Sequence, residues 1–280
     1  GREVNCSSDA DVIIIYRPSG GADDQSANRF ARKVQEQLRM LVQGPISLEP
    51  KIELDMDLRP EGKNGPLVRS YASCEEYYRS WSSTWERQAL LRARAAAGDM
   101  ALANDFLTHI ADPLRYPDRA LTDEEIGQIR KLKARMEAER LPRGVRRERH
   151  LKLGKGGLSD VEWTIQLLQL QHAHNDPDLR VNSTTAALGE LVADGVICEE
   201  DADTLGEAWQ MCTDARNGNY LWSGRANQAD ILPTDVYSLG GIAVYLGYDA
   251  NHGQRFENDI LAVMRRAREV TDRLFYGIEP

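Results

Sequence analysis

The sequence predicts an α+β fold in which a small domain of strands and helices precedes a domain made of helices alone. Strand-like patterns occur only in the N-terminal part, whereas from Cys74 onward apolar residues recur at helical spacing behind helix-capping residues. At 280 residues the chain is long enough for two domains. We place them at residues 1–115 and 116–280, joined by a loop around Pro113 to Pro117.

The N-terminal part has the pattern of a β-α-β unit. Residues 10–16 form a β-branched run that is typical of a buried strand, and residues 51–58 alternate between polar and apolar as a half-buried strand does. A helix is predicted between them at residues 27–43, with Gly44 behind it, and residues 67–69 are a candidate for one more strand. The apolar residues at helical spacing in this helix are Phe30, Ala31, Val34, Leu38, Leu41 and Val42.

The rest of the chain is predicted to be helical. Residues 74–96 form a helix whose apolar side chains share one face. These side chains are Tyr77, Trp81, Trp85, Ala89 and Leu90. The C-terminal helices are predicted near residues 199–217, 234–247 and 254–275.

Capping residues mark the starts of three further helices. Thr122 begins a T-x-x-E capping box, and its helix is predicted to reach about Arg140. Ser159 begins a similar S-x-x-E pattern, which predicts a helix through about His174. Ser183 is the predicted cap of the third helix. The second domain is therefore predicted to be an all-helical bundle.

The composition excludes several functional classes. A formal charge of −9 argues against a general nucleic-acid-binding protein, and no apolar run approaches the ~18 residues of a membrane span. The four cysteines match no zinc-binding pattern, so we expect reduced thiols in a cytoplasmic protein. The chain begins with neither Met nor a signal-like segment, so we expect it to be a piece of a longer protein.

Two pairs of carboxylates are candidate metal ligands. Asp9 and Asp11 begin the first predicted strand, and Asp55 and Asp57 lie on the second, so strand alternation places each pair on one face. Either pair alone is also what a strand end in solvent carries. One helix joins the two strands, so they can lie close in one sheet. Three carboxylates there suit a pair of Mg²⁺ ions, which clamp the attacking and leaving oxygens in phosphoryl transfer.

Longer motifs extend this pattern. Residues 1–11, with Ser-Ser-Asp-x-Asp before an apolar strand, resemble the nucleotidyltransferase superfamily that includes DNA polymerase β. Three further blocks are similar to the glutamine synthetase adenylyltransferase family, occur in that family's order and extend the resemblance over almost the whole chain. They are DMDLRPEG at residues 55–62 with GPLV at 65–68, WERQALLRAR at 85–94, and KLGKGGLSDVE at 152–162.

The resemblance implies a polymerase β-like mixed-sheet domain followed by helices, and it implies the site residues. Asp9, Asp11 and Asp55 are the implied catalytic residues and metal ligands for Mg²⁺. Asp55 is preferred to Asp57 because the family's D-x-x-L-R-P pattern places its acid there. The residues expected to contact the ATP are Ser7, Ser8, Arg59, Gln88, Arg92 and Lys152.

Several of these residues have an alternative role. Arg59 offers a planar donor fork for a phosphate, yet it equally suits the exposed end of a strand. Gln88 and Arg92 are four apart on the predicted helix and share a face, whereas Trp85 on that helix suits the core better than a stacked base. The basic stretch around Lys152 suits a triphosphate, an acidic partner surface or a solvated linker.

The resemblance implies transfer of AMP from ATP to a tyrosine of glutamine synthetase, with release of pyrophosphate, in the control of nitrogen assimilation. The implied partners are glutamine synthetase and a PII-type signalling protein, without nucleic acid or membrane. The family protein has two such halves, and the Arg-rich last helix with the Asp-Val-Glu block favours the C-terminal, adenylylating half. The alternatives are the phosphorolytic, deadenylylating half, a nucleotidyltransferase for an aminoglycoside or RNA, and a helical interaction module with an inactive site.

Overall fold

The computed structural model describes residues 3–44, 52–142 and 144–278. Contacts among these residues divide the chain into two compact units. The first unit comprises residues 3–4 and 8–119, and the second comprises residues 5–7 and 120–278.

The first unit contains four short strands around one long helix. The strands are β1 (Ala10–Asp11), β2 (Ile14–Tyr16), β3 (Leu54–Asp55) and β4 (Val68–Ser70), and the helix between β2 and β3 is α1 (Asp24–Gln43). β1 pairs with β3 and β2 pairs with β4, both in parallel. Parallel pairing needs a crossover connection, which α1 supplies. The predicted β-α-β unit and the extra strand after it are confirmed. The mixed sheet that the resemblance implied is not seen among the described residues, whose strands form two separate parallel pairs.

Both predicted strands are shorter than expected. The run 10–16 is two strands with different partners, and of the described residues between 52 and 58 only β3 pairs. Residue 51 lies outside the described residues. After β3 the chain turns, because the Asp57 N–H donates to the Asp55 carboxylate at 2.7 Å and the Arg59 N–H to the Met56 carbonyl at 3.2 Å. Asp57 therefore lies in a turn, and the prediction that it shares a strand face with Asp55 is wrong.

α1 begins and ends where local signals place it, but the face that it buries differs from the prediction. The Asp23 carboxylate accepts from the Ser26 N–H at 2.7 Å, and Gly44 follows the helix with a φ of +65°. The buried side chains are Ala31 and Gln35. The predicted apolar residues that are exposed instead are Phe30, Val34, Leu38 and Leu41. The helix packs against β2 and β4, and helical spacing alone could not tell which of its faces makes this contact.

The predicted helix over residues 74–96 is two helices. α2 (Tyr71–Ser80) ends at Trp81, whose surface is 76% exposed, and α3 (Thr84–Leu90) begins at the Ser83–Glu86 capping box. A new cap inside an apolar pattern restarts the helix in another direction. Together with later helices they enclose the core of this unit, formed by Cys74, Tyr78, Leu90, Phe106, Ile110 and Ala111.

The end of the first unit is more helical than predicted. It comprises α4 (Met100–Phe106), a π-helical turn (Leu107–Ala111) and α5 (Asp112–Arg115). The loop expected around Pro113 is therefore helical at its start. Pro113 is tolerated because the first turn of a helix needs no donated N–H.

The second unit is helical. Its helices are α6 (Asp123–Arg140), α7 (Leu158–His172), α8 (Thr184–Ala193), α9 (Glu199–Ser223), α10 (Val236–Tyr245) and α11 (Gly253–Leu274), with short 3₁₀ turns between them. The capping box at Thr122 and the cap at Ser183 are confirmed. The box at Ser159 is wrong, because Gly157 precedes the helix and Ser159 lies in its first turn.

A buried cluster of charges joins three helices of this unit. The Lys133 ammonium, fully buried on α6, lies 2.5 Å from carboxylate oxygens of both Glu137 and Asp160. Asp160, on α7, also accepts from Arg268 of α11 at 3.0 Å and from the Gly156 N–H at 2.7 Å. Burial alone would raise the pKa of Asp160, but Lys133 and Arg268 outweigh it and hold that pKa below its ordinary value.

Two expectations from composition have structural counterparts. All four cysteines are unpaired, with Cys6 and Cys198 exposed and Cys74 and Cys212 buried. Within the described residues, no helix combines the length and the apolar character that a membrane span requires.

Candidate active site

The strand register brings the two predicted acidic strands together. Asp11 on β1 is the direct partner of Asp55 on β3. Backbone hydrogen bonds lock this register, from the Ala10 N–H to the Glu53 carbonyl at 2.8 Å and from the Val12 N–H to the Asp55 carbonyl at 2.7 Å. Register partners on adjacent strands project to the same side, with about 4.8 Å between the strands. Asp11 and Asp55 therefore present their carboxylates to one face.

Asp9 completes the predicted set. It lies two residues before Asp11, just outside β1; both side chains are exposed, whereas Asp55 is half-buried. Three carboxylates are the oxygen donors that a hard cation such as Mg²⁺ takes, so the donor chemistry fits the implied metal. In the part of the chain that the structure describes, no three His, Cys, Asp or Glu side chains lie close enough together to hold a metal ion. The ligand set therefore depends on strand register and donor chemistry and stays a prediction.

Asp57 and Arg59 lie in the loop after β3, where they contact each other and other residues of that loop. The Asp57 carboxylate lies 3.2 Å from the Lys63 ammonium and 3.6 Å from the Arg59 guanidinium. Arg59 is 7% exposed and donates to the carbonyls of Met56 at 2.7 Å, Lys63 at 2.9 Å and Gly65 at 2.8 Å. Satisfying three carbonyls from one buried guanidinium organises a loop. Arg59 is therefore not the exposed strand-end residue of the alternative prediction, and its donors are occupied within the loop, so its contact with ATP stays a prediction.

The two predicted serines lie in different units. Ser7 is half-buried, and both its N–H and its hydroxyl donate to the Asn5 side chain at 3.3 Å. The Cys6 N–H beside it donates to Asn217 at 3.1 Å, and residues 5–7 belong to the second unit. Ser8 is half-buried and belongs to the first unit. The segment before Asp9 is thus fastened by asparagine side chains, a feature that the sequence did not signal.

Gln88 and Arg92 do not share a helix face. Gln88 is buried in α3, which ends at Leu90, so Arg92 lies beyond the helix. The buried side chain of Arg115 holds the turn that follows, donating to the carbonyls of Leu90 at 2.8 Å and Ala93 at 3.0 Å. Arg115 also donates to the Asp112 carboxylate at 2.8 Å, but no sequence signal marks its contacts with the two carbonyls, which lie more than twenty residues earlier.

Lys152 belongs to the second unit. Its side chain is exposed in the glycine-rich segment before α7 and lines a small pocket with His150 and Arg140. The other predicted site residues, except Ser7, belong to the first unit.

Comparison with known proteins places a different family model on each part of the chain. Residues 1–109 match the family described as glutamate-ammonia ligase adenylyltransferase, and residues 128–275 match the family described as GlnD PII-uridylyltransferase. The first match contains the strands with Asp9, Asp11 and Asp55, and the second contains the helices α7 to α11.

Curated relatives resemble the chain along almost its whole length. The bifunctional glutamine synthetase adenylyltransferase/adenylyl-removing enzyme of Bifidobacterium longum subsp. infantis is 74% identical over 277 residues, which is 99% of this chain and 26% of the relative. The chain belongs to the glutamine synthetase adenylyltransferase family. The enzymes of the same name from Streptomyces avermitilis and Mycobacterium avium are 49% and 45% identical, over 99% and 98% of this chain and 27% of each relative. The chain thus spans about a quarter of the length of its adenylyltransferase relatives.

Family membership confirms the resemblance drawn from the motif blocks. Asp11 and Asp55, which are register partners, both lie in the part of the chain that matches the adenylyltransferase model. The helical unit, in contrast, lies in the part of the chain that matches a model named for PII uridylylation.

Proposed function

We propose that this chain transfers AMP from ATP to a tyrosine hydroxyl of glutamine synthetase and releases pyrophosphate, as the C-terminal, adenylylating half of the family enzyme. The observation that carries the proposal is the register of Asp11 with Asp55 on adjacent parallel strands. The names of the relatives and the adenylyltransferase model over residues 1–109 support adenylyl transfer. A pair of adjacent parallel strands that presents carboxylates on one face accommodates this chemistry.

The proposed chemistry is an in-line displacement at the α-phosphorus. The tyrosine oxygen forms a bond to that phosphorus while the bond to the leaving pyrophosphate oxygen breaks, and the phenol proton passes to a carboxylate. Asp55, half-buried beside β1, is our candidate for this general base. Asp9, Asp11 and Asp55 would hold Mg²⁺, which supplies positive charge against the triphosphate when bound.

A second candidate function is removal of the AMP group by phosphorolysis. The curated relatives are named for both adenylyl transfer and adenylyl removal, and this chain spans about a quarter of their length. In this reaction phosphate attacks the AMP phosphorus and the tyrosine oxygen leaves, so the same carboxylates serve it.

A PII-type signalling protein is our proposed second partner. The helical unit matches a family model named for PII uridylylation, which supports a surface suited to such a protein. We place these encounters in the cytoplasm, where four unpaired cysteines stay reduced.

The test is incubation of this chain with unmodified glutamine synthetase, ATP and Mg²⁺, followed by intact-mass measurement of the synthetase. A gain of one AMP per subunit on a tyrosine, absent with Asp11→Asn, supports adenylylation. No gain, together with AMP loss from modified synthetase in phosphate, moves the chain to the removing half. Modification of neither kind, by a folded chain that binds ATP, would overturn both assignments.

A further inference from the structure

The segment between α6 and α7 is wound so tightly that three positions accept only glycine. A Cβ on Gly154 would collide with the carbonyl oxygen of His150, and one on Gly157 would collide with that of Leu151. Gly156 has a φ of +73°, and a Cβ there would overlap the carbonyl of Met264 on α11. Close backbone contacts of this kind leave the segment little freedom to rearrange. Its side chains are therefore presented in one preformed arrangement.

His150 lies under this segment with one ring nitrogen committed to the backbone. Its side chain is 3% exposed, and Nδ1 accepts the N–H groups of Lys152 at 3.3 Å and Leu153 at 3.1 Å. An Nδ1 that accepts leaves the proton on Nε2, so the ring offers a single N–H donor. Burial lowers the pKa of His150, although Asp230 opposes this shift, so the ring is neutral near pH 7. Among the described residues nothing accepts a hydrogen bond from Nε2.

A pocket of about 400 Å³ opens beside this ring. His150, Lys152, Arg140 and Asn227 line it, together with Asp230. Arg140 and Lys152 are exposed, and neither forms an ion pair with any described residue. Asp230 is already paired, since it accepts from the Arg216 guanidinium at 2.5 Å. The pocket therefore combines two uncompensated cations with neutral N–H donors, so it favours an anion.

We propose that this pocket binds a phosphate group. Arginine and lysine are the side chains that recognise phosphate by charge, and the His150 ring and the Asn227 amide add neutral donors. A phosphate offers more acceptor oxygens than a carboxylate, which suits donors from four side chains. Free phosphate and the phosphate chain of a nucleotide share this chemistry.

The inference can be tested separately from the proposed transfer reaction, although Lys152 is also one of the residues expected to contact the ATP. Every residue of the pocket belongs to the second unit, whereas Asp9, Asp11 and Asp55 belong to the first. Its test is therefore a binding measurement that needs neither Mg²⁺ nor glutamine synthetase. Failure of AMP transfer and failure of phosphate binding are read from different experiments.

The experiment is a titration of the full chain with sodium phosphate against sodium chloride at equal ionic strength, near pH 7. The imidazole signals of the five histidines are followed by NMR, with His150 assigned by comparison with His150→Gln. Lys152→Gln is the test variant. Lys155→Gln is the matched control, because Lys155 is exposed on the same segment, carries the same charge and does not line the pocket. Parallel titrations with ATP without metal and with succinate separate the ligand sources.

We expect a saturable shift of the His150 signals, with phosphate affinity weakened about tenfold in Lys152→Gln and unchanged in Lys155→Gln. Tighter binding of ATP than of phosphate identifies a nucleotide as the source, and equal binding identifies free phosphate. Equal weakening in both lysine variants would mean diffuse charge attraction and overturn the pocket. Absence of a saturable shift, or succinate binding as tightly as phosphate, would also overturn it.

Discussion

Asp11 and Asp55 are direct partners on adjacent parallel strands, while Asp57, two residues further on, turns away to Lys63 and Arg59. A spacing of two residues makes Asp55 and Asp57 equivalent only as long as the strand continues. Because the strand ends at Asp55, one carboxylate faces β1 and the other neutralises a loop. The two residues should therefore respond differently to the same substitution.

We expect Asp11→Asn and Asp55→Asn each to lower the rate of AMP transfer by about a hundredfold or more, because each removes a carboxylate proposed to hold Mg²⁺. Asp57→Asn should stay within about threefold of the parent rate, since its carboxylate pairs with Lys63 outside the strand. The measurement is the initial rate of AMP incorporation into glutamine synthetase.

Circular dichroism of all three variants serves as the control for folding. Two outcomes would contradict the choice of Asp55 rather than Asp57 as the metal ligand. One is a folded Asp55→Asn variant with the parent rate, and the other is an Asp57→Asn variant as inactive as Asp11→Asn.

Asp160 contributes stability through the buried charges around it. Asp160→Asn leaves Lys133 buried with one partner fewer, so we expect it to lower the free energy of unfolding by about 3–5 kcal/mol. Urea denaturation measures this change. Glu139→Gln is the control, because Glu139 forms an exposed ion pair with Arg135 at 3.3 Å and its loss should be far smaller.

The effect of Asp160→Asn should depend on pH. Because the pKa of Asp160 is lowered in the folded state, its carboxylate stabilises the fold above its ordinary pKa of 3.8, and this stabilisation is lost as the pH falls through the lower, folded value. The difference in unfolding free energy between parent and variant should therefore be constant near neutrality and shrink in acid. A difference that grows in acid would contradict the assignment.

Alanine substitutions at Gly156 and Gly195 distinguish the cost of backbone strain from the cost of a steric clash. Both have positive φ, +73° and +70°, but a Cβ on Gly195 meets open space whereas one on Gly156 overlaps the Met264 carbonyl. We expect Gly195→Ala to cost about 1–2 kcal/mol, the strain of the left-handed conformation alone. Gly156→Ala should cost about 3–5 kcal/mol, because the segment before α7 must also move away from α11. If chemical denaturation gives equal losses of unfolding free energy for the two variants, the Met264 backbone moves aside at little cost.

The four thiols should fall into two reactivity classes. Burial raises the pKa values of Cys74 and Cys212 to about 12, so few thiolates form at neutral pH and reagents cannot reach them. Cys6 and Cys198 are exposed. Titration with Ellman's reagent at pH 8 should therefore release two equivalents rapidly from the native chain and four after unfolding in guanidinium. Rapid release of four from the native chain would contradict the burial of Cys74 and Cys212.

Local signals predicted the features that neighbouring residues determine. Thr122 and Ser183 cap their helices, and Gly44 ends α1, because each acts on backbone groups within three or four residues. Ser159 followed the same pattern and was misassigned, since the residue that caps the helix is Gly157, two residues earlier. For the candidate site, strand periodicity and motif resemblance predict Asp9, Asp11 and Asp55, and the register of Asp11 with Asp55 supports that prediction.

Features that depend on distant contacts could not be predicted in this way. Nothing near Lys133 signals that it is buried against Asp160, which lies 27 residues away on another helix. Similarly, the face of α1 that is buried depends on its contact with β2 and β4, and the guanidinium of Arg115 donates to carbonyls of a turn more than twenty residues earlier. Each of these interactions forms only once the chain has folded.

The sequence by itself therefore predicted the β-α-β unit, most helices of the second unit, the family and the candidate carboxylates, because periodicity, capping and motif spacing are properties of short segments. Only the tertiary structure decided that Asp55 faces Asp11 while Asp57 does not, that Arg59 is occupied within its own loop, and that His150 and Lys152 line one pocket. The physical reason is that hydrogen bonds and ion pairs form between whatever groups the folded chain brings within reach, whatever their separation in sequence.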